Sequence, residues 1–401
     1  MATYELNTLY DAYKASMKGS AWKEEPQRFE IDFLSELVKL QAELEDRSYK
    51  TLKGSEFIIN ERGKIRYIHG ARMRDRVVRH ALCDTVISPT LNKYLIYNNG
   101  ASQTGKGISF SRMMFERDLH SYYLEYKTNE GWVGFVDISK FYDNIPHEKI
   151  KELILPHLDE FNGWLLSEIV DTFKVDVSYM TDEEYERCLS EKFDSVAYSS
   201  EIPPSLRTGE KYMAKSVDIG DQLSQNIGIY YPTRLDNYAK IVCGVKRYGR
   251  YMDDIYIILP TKAEVEAVIE GIKREAESLG LFLNERKTRI VKLSSTYKYL
   301  QIKYSLTETG KIIRRINPKS VTRERRKLKA YKRRLKAGAL PYESIEQSYK
   351  SWMGSYAPLM SKRQRKNMQE LYYTLFERRP RWKKTPTKSH SQTERSSPTS
   401  A

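Results

Sequence analysis

Two adjacent carboxylates, Asp253 and Asp254, lie between two apolar segments with strong strand propensity. A two-residue hairpin connection usually carries Asn-Gly or Asp-Gly, whereas no glycine accompanies this pair. Adjacent acids are common in ordinary turns. Carboxylate oxygens held at a strand turn are also the ligands that Mg²⁺ prefers. The pair is therefore either a simple turn or one half of a metal site.

A third acid, Asp137, follows the apolar run Trp132–Val136 and is predicted to lie where that strand ends. It is distant from Asp253 in the chain, so the two meet only if the fold places their strands side by side. Two ions about 3.5–4 Å apart can activate a hydroxyl nucleophile and neutralise a pyrophosphate leaving group. Alone, Asp137 is better explained as a structural acid at a strand end. Together, the three carboxylates predict two-metal nucleotidyl transfer.

The surrounding periodicity predicts a mixture of helices and strands that must position these acids. Helices are predicted at 32–45, 71–91 (ending near Pro89), 112–123, 220–239, 263–279, 319–336 and 362–377. Strands or hairpins are predicted at 56–70, 132–136, 245–260, 280–291 and 295–306. The segment 175–216 is polar and aperiodic and is interpreted as an insertion or long loop. Residues 380–401 are rich in Ser, Thr, Pro and Lys, which predicts a disordered basic tail.

The chain has 68 Lys and Arg against 53 Asp and Glu, a formal net charge of +15. Such an excess favours a polyanionic partner, because cationic grooves release counterions from phosphates. A basic protein without such a partner is the alternative. The three cysteines form no CxxC pair, which argues against zinc or a disulfide framework. No run approaches the roughly 20 apolar residues of a membrane span, and the N-terminus does not resemble a signal peptide. A cytoplasmic protein without membrane contact is expected.

Five segments resemble the palm motifs of reverse transcriptases and follow one another in the same order. They are VDISKFYDNIPH, IGDQLSQN, YMDD, LGLFLNERKTRIV and the primer-grip-like YKYLQIKY. The resemblance implies an α+β right-hand polymerase fold, with fingers and palm built from an antiparallel sheet plus helices, and a helical thumb. It further implies fingers and palm over 1–305, a thumb over 306–379 and the tail over 380–401. The implied activity is RNA-directed DNA polymerisation.

The resemblance also implies roles for the acidic residues and one lysine. Asp137 and Asp253 would hold two Mg²⁺ ions, or Mn²⁺, with Asp254 assisting and the Ile138 carbonyl completing the coordination. Lys287 matches the fourth-motif lysine that is proposed to protonate the leaving pyrophosphate as a general acid.

Further residues match the nucleotide site of the family. Lys64 and Arg66 would clamp the triphosphate of the incoming nucleotide, because cationic donors suit phosphate oxygens; a solvated hairpin face is the alternative. Tyr142 occupies the steric-gate position, which excludes a ribose 2′-hydroxyl and makes the substrate a dNTP. The alternative for Tyr142 is an ordinary core tyrosine, in a chain that contains 30 of them.

A strongly basic stretch at 319–336 is expected to form the thumb helix that follows the backbone of an RNA template and an RNA–DNA hybrid. A solvated helix without a nucleic-acid role is the alternative. The residues proposed to contact the nucleic acid are Lys319, Arg323, Arg326, Lys329 and Arg333. In the tail, Lys383, Lys384 and Lys388 either add non-specific affinity or do nothing.

The second motif begins with Ile219 and Gly220 and ends with Gln225, in the pattern I-G-x-x-x-S-Q. This pattern resembles the reverse transcriptases of diversity-generating retroelements of phages and bacteria, as do DRVVRHAL and SYKSWMGS. In that family the motif lies against the nascent base pair and is linked to misincorporation opposite adenine. Ile219 would remove a polar contact from the base-pair pocket and relax discrimination. The resemblance also suggests a small basic accessory protein.

Several alternatives remain open at this point. The long segment 175–216 and the tail exceed what such enzymes usually need, and antiviral-defence reverse transcriptases carry related palms with varied insertions. A non-catalytic RNA-binding protein that retains the palm is a different class, but it predicts damaged metal or gate positions. A DNA-templated or template-independent nucleotidyltransferase is a third.

Overall fold

The structure is a computed structural model that describes residues 2–61, 64–194 and 202–382. The chain divides into two compact units. The first contains the residues up to Ser295 together with Leu306–Ile312, and the second contains Thr296–Ser305 together with the residues from Ile313 onward. Helices and antiparallel sheets are mixed throughout, so the predicted α+β class is confirmed. Among the described residues, no helix combines the length and apolar composition needed to cross a membrane.

The first unit contains twelve α-helices among its described residues. They are α1 Leu6–Met17, α2 Glu24–Ile31, α3 Phe33–Glu45, α4 Met73–Leu82, α5 Ser88–Leu91, α6 Ile108–Tyr126, α7 His147–Ile154, α8 Glu160–Val170, α9 Asp182–Ser190, α10 Gln222–Tyr230, α11 Thr233–Asn237 and α12 Lys262–Ser278. The helix predicted at 71–91, stopping near Pro89, agrees with the structure in its end, since α5 ends at Leu91. A π-helical turn, Cys83–Ile87, joins α4 to α5, and Pro89 is the second residue of α5.

The strands of the chain are mostly short. They are β1 Ser55–Glu61, β2 Lys64–Gly70, β3 Trp132–Ser139, β4 Val175–Asp176, β5 Tyr212–Met213, β6 Arg247–Tyr251, β7 Asp254–Leu259, β8 Phe282–Leu283, β9 Arg289–Lys292, β10 Tyr297–Tyr299, β11 Ile302–Leu306 and β12 Ile312–Ile316. The predicted hairpins β1–β2, β6–β7 and β10–β11 are confirmed. The single strand expected at 280–291 is instead two short strands, because the polar sequence between Asn284 and Thr288 forms a turn.

The central sheet has the strand order β6-β7-β3-β8, and β9 also pairs with β3. All its pairs are antiparallel, and Asp137 on β3 lies directly opposite Asp254 on β7. Asp137 was expected to end its strand, but β3 continues to Ser139, because Ile138 and Ser139 pair with β8. The sheet packs on α12 with little space between them. A Cβ at Gly134 would lie 2.6 Å from Val265, so only glycine lets α12 approach β3 this closely.

Residues 175–216 are not a long loop; their described part is a small folded lobe, here called the insertion. It contains α9 and the β4–β5 pair, and its core includes Val177, Phe193 and Met213. The sequence signal was present but overlooked: Thr181 and Glu184 form a capping box at the start of α9. The buried ammonium of Lys215 donates to the carbonyls of Cys188, Leu189 and Glu191. These hydrogen bonds satisfy carbonyl groups at the C-terminal end of α9.

The second unit is largely helical, and its described α-helices are α13 Pro318–Lys336, α14 Tyr342–Tyr356 and α15 Lys362–Phe376. The predicted helices at 319–336 and 362–377 are confirmed, whereas α14 was missed. Its core includes Leu328, Ile345 and the stacked rings of Tyr349 and Tyr372, whose centroids are 4.3 Å apart. These helices therefore bury an apolar centre of their own.

Candidate active site

The register of β3 and β7 brings the predicted acids together at one end of these two inner strands of the central sheet. Asp137 faces Asp254 across the strand pair, and Asp253 lies in the turn that joins β6 to β7. Met252 in that turn has φ +53°, a backbone conformation that few non-glycine residues adopt. Residues held in such conformations cluster at functional sites, where the surrounding structure enforces them. The surrounding structure must therefore stabilise this unfavourable backbone conformation of Met252.

A buried ion pair that the sequence did not reveal supports this turn. Arg250 and Asp236 are both fully buried, and the Arg250 Nη2 lies 2.7 Å from the Asp236 Oδ2. Arg250 also donates through Nη1 to the Met252 carbonyl at 3.3 Å, and through Nη2 to the Ile229 carbonyl at 2.7 Å. One guanidinium thus connects the β6–β7 turn to the end of α10. The only sequence signal is an arginine three residues before Asp253, which by itself reads as an ordinary strand residue.

Lys287 is brought to Asp137 by the turn between β8 and β9. Its Nζ lies 2.8 Å and 2.7 Å from the two carboxylate oxygens of Asp137. The Asn284 amide donates to the Asp137 carbonyl at 2.7 Å, which fixes the turn against β3. The ammonium is half exposed, so its attraction to Asp137 is weakened by solvent. The fold thus brings together the predicted general acid and a predicted metal ligand.

The chemistry of this donor set suits a hard divalent cation. Asp137, Asp253 and Asp254 supply carboxylate oxygens, which Mg²⁺ favours over nitrogen or sulfur. Within the described part of the chain, no three His, Cys, Asp or Glu side chains form a group that could hold a metal as they stand. A carboxylate has about four lone-pair positions, so the Lys287 contact does not exhaust Asp137. The carboxylate oxygens of these three residues are therefore of the type that binds Mg²⁺ or Mn²⁺.

Tyr142 lies beside the β6–β7 turn, because its hydroxyl contacts the Met252 sulfur at 3.9 Å. Gly228 on α10 permits this: a Cβ there would lie 3.0 Å from the Tyr142 hydroxyl. Burial raises the pKa of the Tyr142 phenol, the negative charge of Asp253 raises it further, and Arg66 opposes both. Tyr142 therefore stays neutral at physiological pH and lies within electrostatic range of one predicted metal ligand and one predicted phosphate clamp.

The two residues predicted to clamp the triphosphate, Lys64 and Arg66, lie on the β1–β2 hairpin. Arg66 is partly buried on β2 opposite Ile59. The backbone of Lys64 begins the same strand, but its side chain lies outside the described part of the structure. The roles of both residues stay predictions.

Ile219 and Gly220 form a turn immediately before α10. Gly220 has φ +98°, which favours glycine, and Asp221 caps the helix by accepting from the amides of Leu223 and Ser224. Gln225 is exposed and accepts from the Ser102 hydroxyl at 3.2 Å. The motif therefore places its first two residues in a turn and its glutamine on the surface of a helix.

Asp218, just before this turn, is nearly buried between His69 at 3.4 Å and Arg79 at 3.6 Å. Burial raises the pKa of Asp218 to about 6, although the nearby His69 and Arg79 oppose the shift. Asp218 and Arg79 line a cavity of about 650 Å³ between the β1–β2 hairpin and the insertion, which gives the carboxylate access to solvent.

We expect Asp218→Asn to change how stability depends on pH. The folded pKa exceeds the ordinary value of 3.8, so the contribution of Asp218 to stability is fully present below that value and is lost as the pH rises through about 6. Asparagine does not titrate. The stability of the variant relative to the wild type should therefore increase by about 2 kcal/mol between about pH 4.5 and 7.5. Denaturant unfolding at several pH values measures this, and a difference that does not vary with pH would contradict it.

The five predicted nucleic-acid contacts of the second unit share one side of α13. That side is exposed, whereas Ser320, Glu324 and Leu328 face the interior of the unit. The exposed residues are Lys319, Arg323, Arg326, Lys329 and Arg333. The tail residues Lys383, Lys384 and Lys388 lie outside the described part of the chain.

Acids on neighbouring strands of an antiparallel sheet, one of them in a supported hairpin turn, define a palm-type nucleotidyltransferase of the right-hand polymerase class. Comparison with known families agrees, since residues 53–304 match the family model described as reverse transcriptase (RNA-dependent DNA polymerase). The chain belongs to the reverse transcriptase family, and the predictions of a reverse transcriptase and of a right-hand polymerase fold are confirmed.

A solved structure of telomerase from Candida albicans, in complex with a TWJ fragment of telomeric RNA, is similar to this chain. The sequence identity is 11% and the TM-score is 0.43. The similarity covers 80% of this chain and 58% of the telomerase chain. No curated protein matches the chain at a significant level.

Proposed function

We propose that this chain copies an RNA template into DNA by two-metal nucleotidyl transfer, as the error-prone polymerase of a diversity-generating retroelement. The observation that carries the polymerase proposal is the pairing of Asp137 with Asp254 across β3 and β7, next to the turn with Asp253. The Ile219-Gly220 turn before α10 supports the subtype, because the sequence pattern at that turn is typical of these enzymes.

In this mechanism Asp137 and Asp253 would hold two Mg²⁺ or Mn²⁺ ions, with Asp254 and the Ile138 carbonyl completing the coordination. When bound, these ions would supply charge neutralisation for the attacking oxygen and the leaving group. The primer 3′-hydroxyl loses its proton to solvent as its oxygen forms a bond to the α-phosphorus of the dNTP, and the bond from that phosphorus to pyrophosphate breaks. Lys287, whose Nζ lies 2.7 Å from the Asp137 Oδ2, would donate a proton to the pyrophosphate. Lys64 and Arg66 would bind the triphosphate.

The RNA template and RNA–DNA hybrid would be held through phosphate contacts from the exposed basic side of α13. Because α13 presents at least five cations on that side, binding should weaken strongly with added salt. A small basic accessory protein is a further expected partner.

Tyr142 is proposed as the steric gate, and we expect Tyr142→Ala to admit ribonucleotides. The ring lies against the β6–β7 turn, so its loss opens space where a 2′-hydroxyl would enter. The preference for dNTP over rNTP, measured as a ratio of kcat/KM values, should fall by roughly 10–100-fold. Tyr142→Phe is the matched control and should retain the preference, because the ring excludes the hydroxyl. An unchanged preference in Tyr142→Ala would remove Tyr142 from this role.

The proposed function is tested by primer extension with purified protein, Mg²⁺, dNTPs and a defined RNA template, followed by sequencing of the product. The expected product is cDNA with errors concentrated opposite template adenines. Faithful cDNA would support an antiviral-defence enzyme instead. Synthesis without RNA, or only on DNA, would indicate another nucleotidyltransferase. No product with any template would favour a non-catalytic RNA-binding protein.

A single substitution tests the error-prone behaviour separately from the general DNA polymerase activity. Ile219→Gln restores an amide in the turn and should lower the error rate opposite adenine while leaving synthesis intact. Ile241→Gln makes the same chemical change at a side chain that is 75% exposed and should have no effect on errors. Equal error spectra for the wild type and Ile219→Gln would contradict the proposed role of Ile219.

A further inference from the structure

Arg79 on α4 links the two ends of the turn that carries Ile219 and Gly220. The Arg79 Nη1 lies 2.9 Å from the Asp221 Oδ2 and 3.6 Å from the Asp218 Oδ2. These two acids directly flank the Ile219-Gly220 dipeptide. One guanidinium therefore holds both ends of a two-residue loop.

The surroundings keep this guanidinium in place. The Arg79 side chain is only 3% exposed, and its Cζ lies 5.1 Å from the ring centroid of the buried Phe173. A cation over an aromatic ring is attracted to its face, and more strongly where water is excluded. Asp221 is fixed in turn as the cap of α10, with its Oδ1 2.8 Å from the Leu223 amide. The clamp thus joins one packed helix to the beginning of another.

The loop between the clamped acids has few contacts of its own that would fix it. A Cβ at Gly220 would meet no atom within 4 Å, so the glycine is required by its positive φ and not by packing. Ile219 is only partly buried. The position of the dipeptide therefore depends mainly on the two acids at its ends.

We propose that Arg79 is a positioning residue, which holds the Ile219-Gly220 loop in the conformation that selects the incoming nucleotide. This inference rests on the proposed contact of that loop with the nascent base pair. In this proposal Arg79 acts through Asp218 and Asp221. Loosening the clamp should therefore affect nucleotide binding and accuracy more than the rate of the chemical step.

Two variants test the clamp and a third controls for the loss of an arginine from the same helix. Arg79→Met removes the guanidinium. Asp221→Asn retains a good helix cap but removes the charge that Arg79 binds, and so disturbs folding less. The control is Arg74→Met, which removes an arginine on α4 that pairs with Glu43 instead. All proteins are compared below their melting temperatures.

The first readout is amide hydrogen exchange of the segment 217–224, which requires no catalytic activity. Exchange there should accelerate about tenfold in Arg79→Met and Asp221→Asn, but not in Arg74→Met, because local opening follows the loss of local contacts. Unchanged exchange in both clamp variants would overturn the inference. If Arg79→Met does not fold, Asp221→Asn decides the question.

The second readout is steady-state primer extension with single dNTPs. We expect KM for the dNTP to rise about tenfold in the clamp variants with kcat changed less than about twofold, together with an altered error spectrum. Loss of kcat alone, or the same kinetics in Arg74→Met, would show a merely structural role and overturn the proposal. A wild type that makes no DNA would instead refute the proposed function, and the exchange experiment would still decide whether Arg79 holds the loop.

Discussion

Asp253→Asn is expected to abolish DNA synthesis while leaving the protein folded. Asparagine has the size of aspartate but lacks the negative charge that a divalent cation requires, so charge neutralisation in the transition state is lost. We expect kcat to fall by at least about 1,000-fold, equivalent to about 4 kcal/mol of transition-state stabilisation. Single-turnover primer extension in Mg²⁺ measures this effect. The melting temperature should stay close to that of the wild type, because Asp253 lies in a partly exposed turn.

A matched control for this prediction is Asp11→Asn, which makes the same change at a side chain that is 75% exposed on α1. It should retain full activity. Asp137→Asn is expected to behave like Asp253→Asn, since both acids are proposed to hold the ions. Activity of Asp253→Asn within a few-fold of the wild type would refute the two-metal assignment of these residues.

Asp236→Asn is expected to cause the largest loss of stability among the substitutions considered. The fully buried Arg250 would then keep its charge without a counter-charge, and breaking a buried pair in this way costs about 3–5 kcal/mol. The Tyr248 hydroxyl, which donates to Asp236 at 2.8 Å, would also lose a charged acceptor. Thermal unfolding should show a clearly lowered melting temperature. Residual activity should fall as well, since Arg250 holds the Met252 carbonyl in the β6–β7 turn.

The nearby exposed pair between Arg234 and Glu275 provides the comparison. Arg234 is 58% exposed, so Glu275→Gln should change stability by only about 0–1 kcal/mol. The double variant Asp236→Leu with Arg250→Met removes both buried charges and should recover much of the stability lost by Asp236→Asn. If Asp236→Asn and Glu275→Gln changed the free energy of unfolding equally, burial of the Arg250–Asp236 pair would not increase its contribution to stability.

The active-site region illustrates where sequence reasoning succeeds. Asp253 and Asp254 were assigned to a hairpin turn because strand-forming segments flank them, and the β6–β7 hairpin is present. The turn itself consists of Met252 and Asp253, whereas Asp254 is the first residue of β7 and pairs with Tyr251. The basic helix at 319–336 was predicted from composition and propensity, which are local properties. Such features depend on neighbours within a few residues, and the sequence displays those neighbours directly.

The same region also shows what local reasoning misses. Asp137 was expected at a strand end, but β8, from more than 140 residues later, extends the strand by pairing with Ile138 and Ser139. Arg250 resembled an ordinary strand residue until the fold placed Asp236 against it. No helix was predicted in the segment 175–216, which was interpreted as an insertion or long loop, because its small core is assembled from residues scattered between Val175 and Met213. In each case the deciding partner is distant in the chain.

The sequence by itself determined the family and most of the helices and hairpins, because motif order and periodicity are written along the chain, and it predicted the chemistry of the candidate site. Only the tertiary structure decided that Asp137 faces Asp254, that Lys287 reaches Asp137 and that Arg79 joins Asp218 to Asp221. Strand register and buried charge pairs result from side chains that must satisfy one another once water is excluded. That requirement acts between distant segments and leaves no periodic trace in either of them.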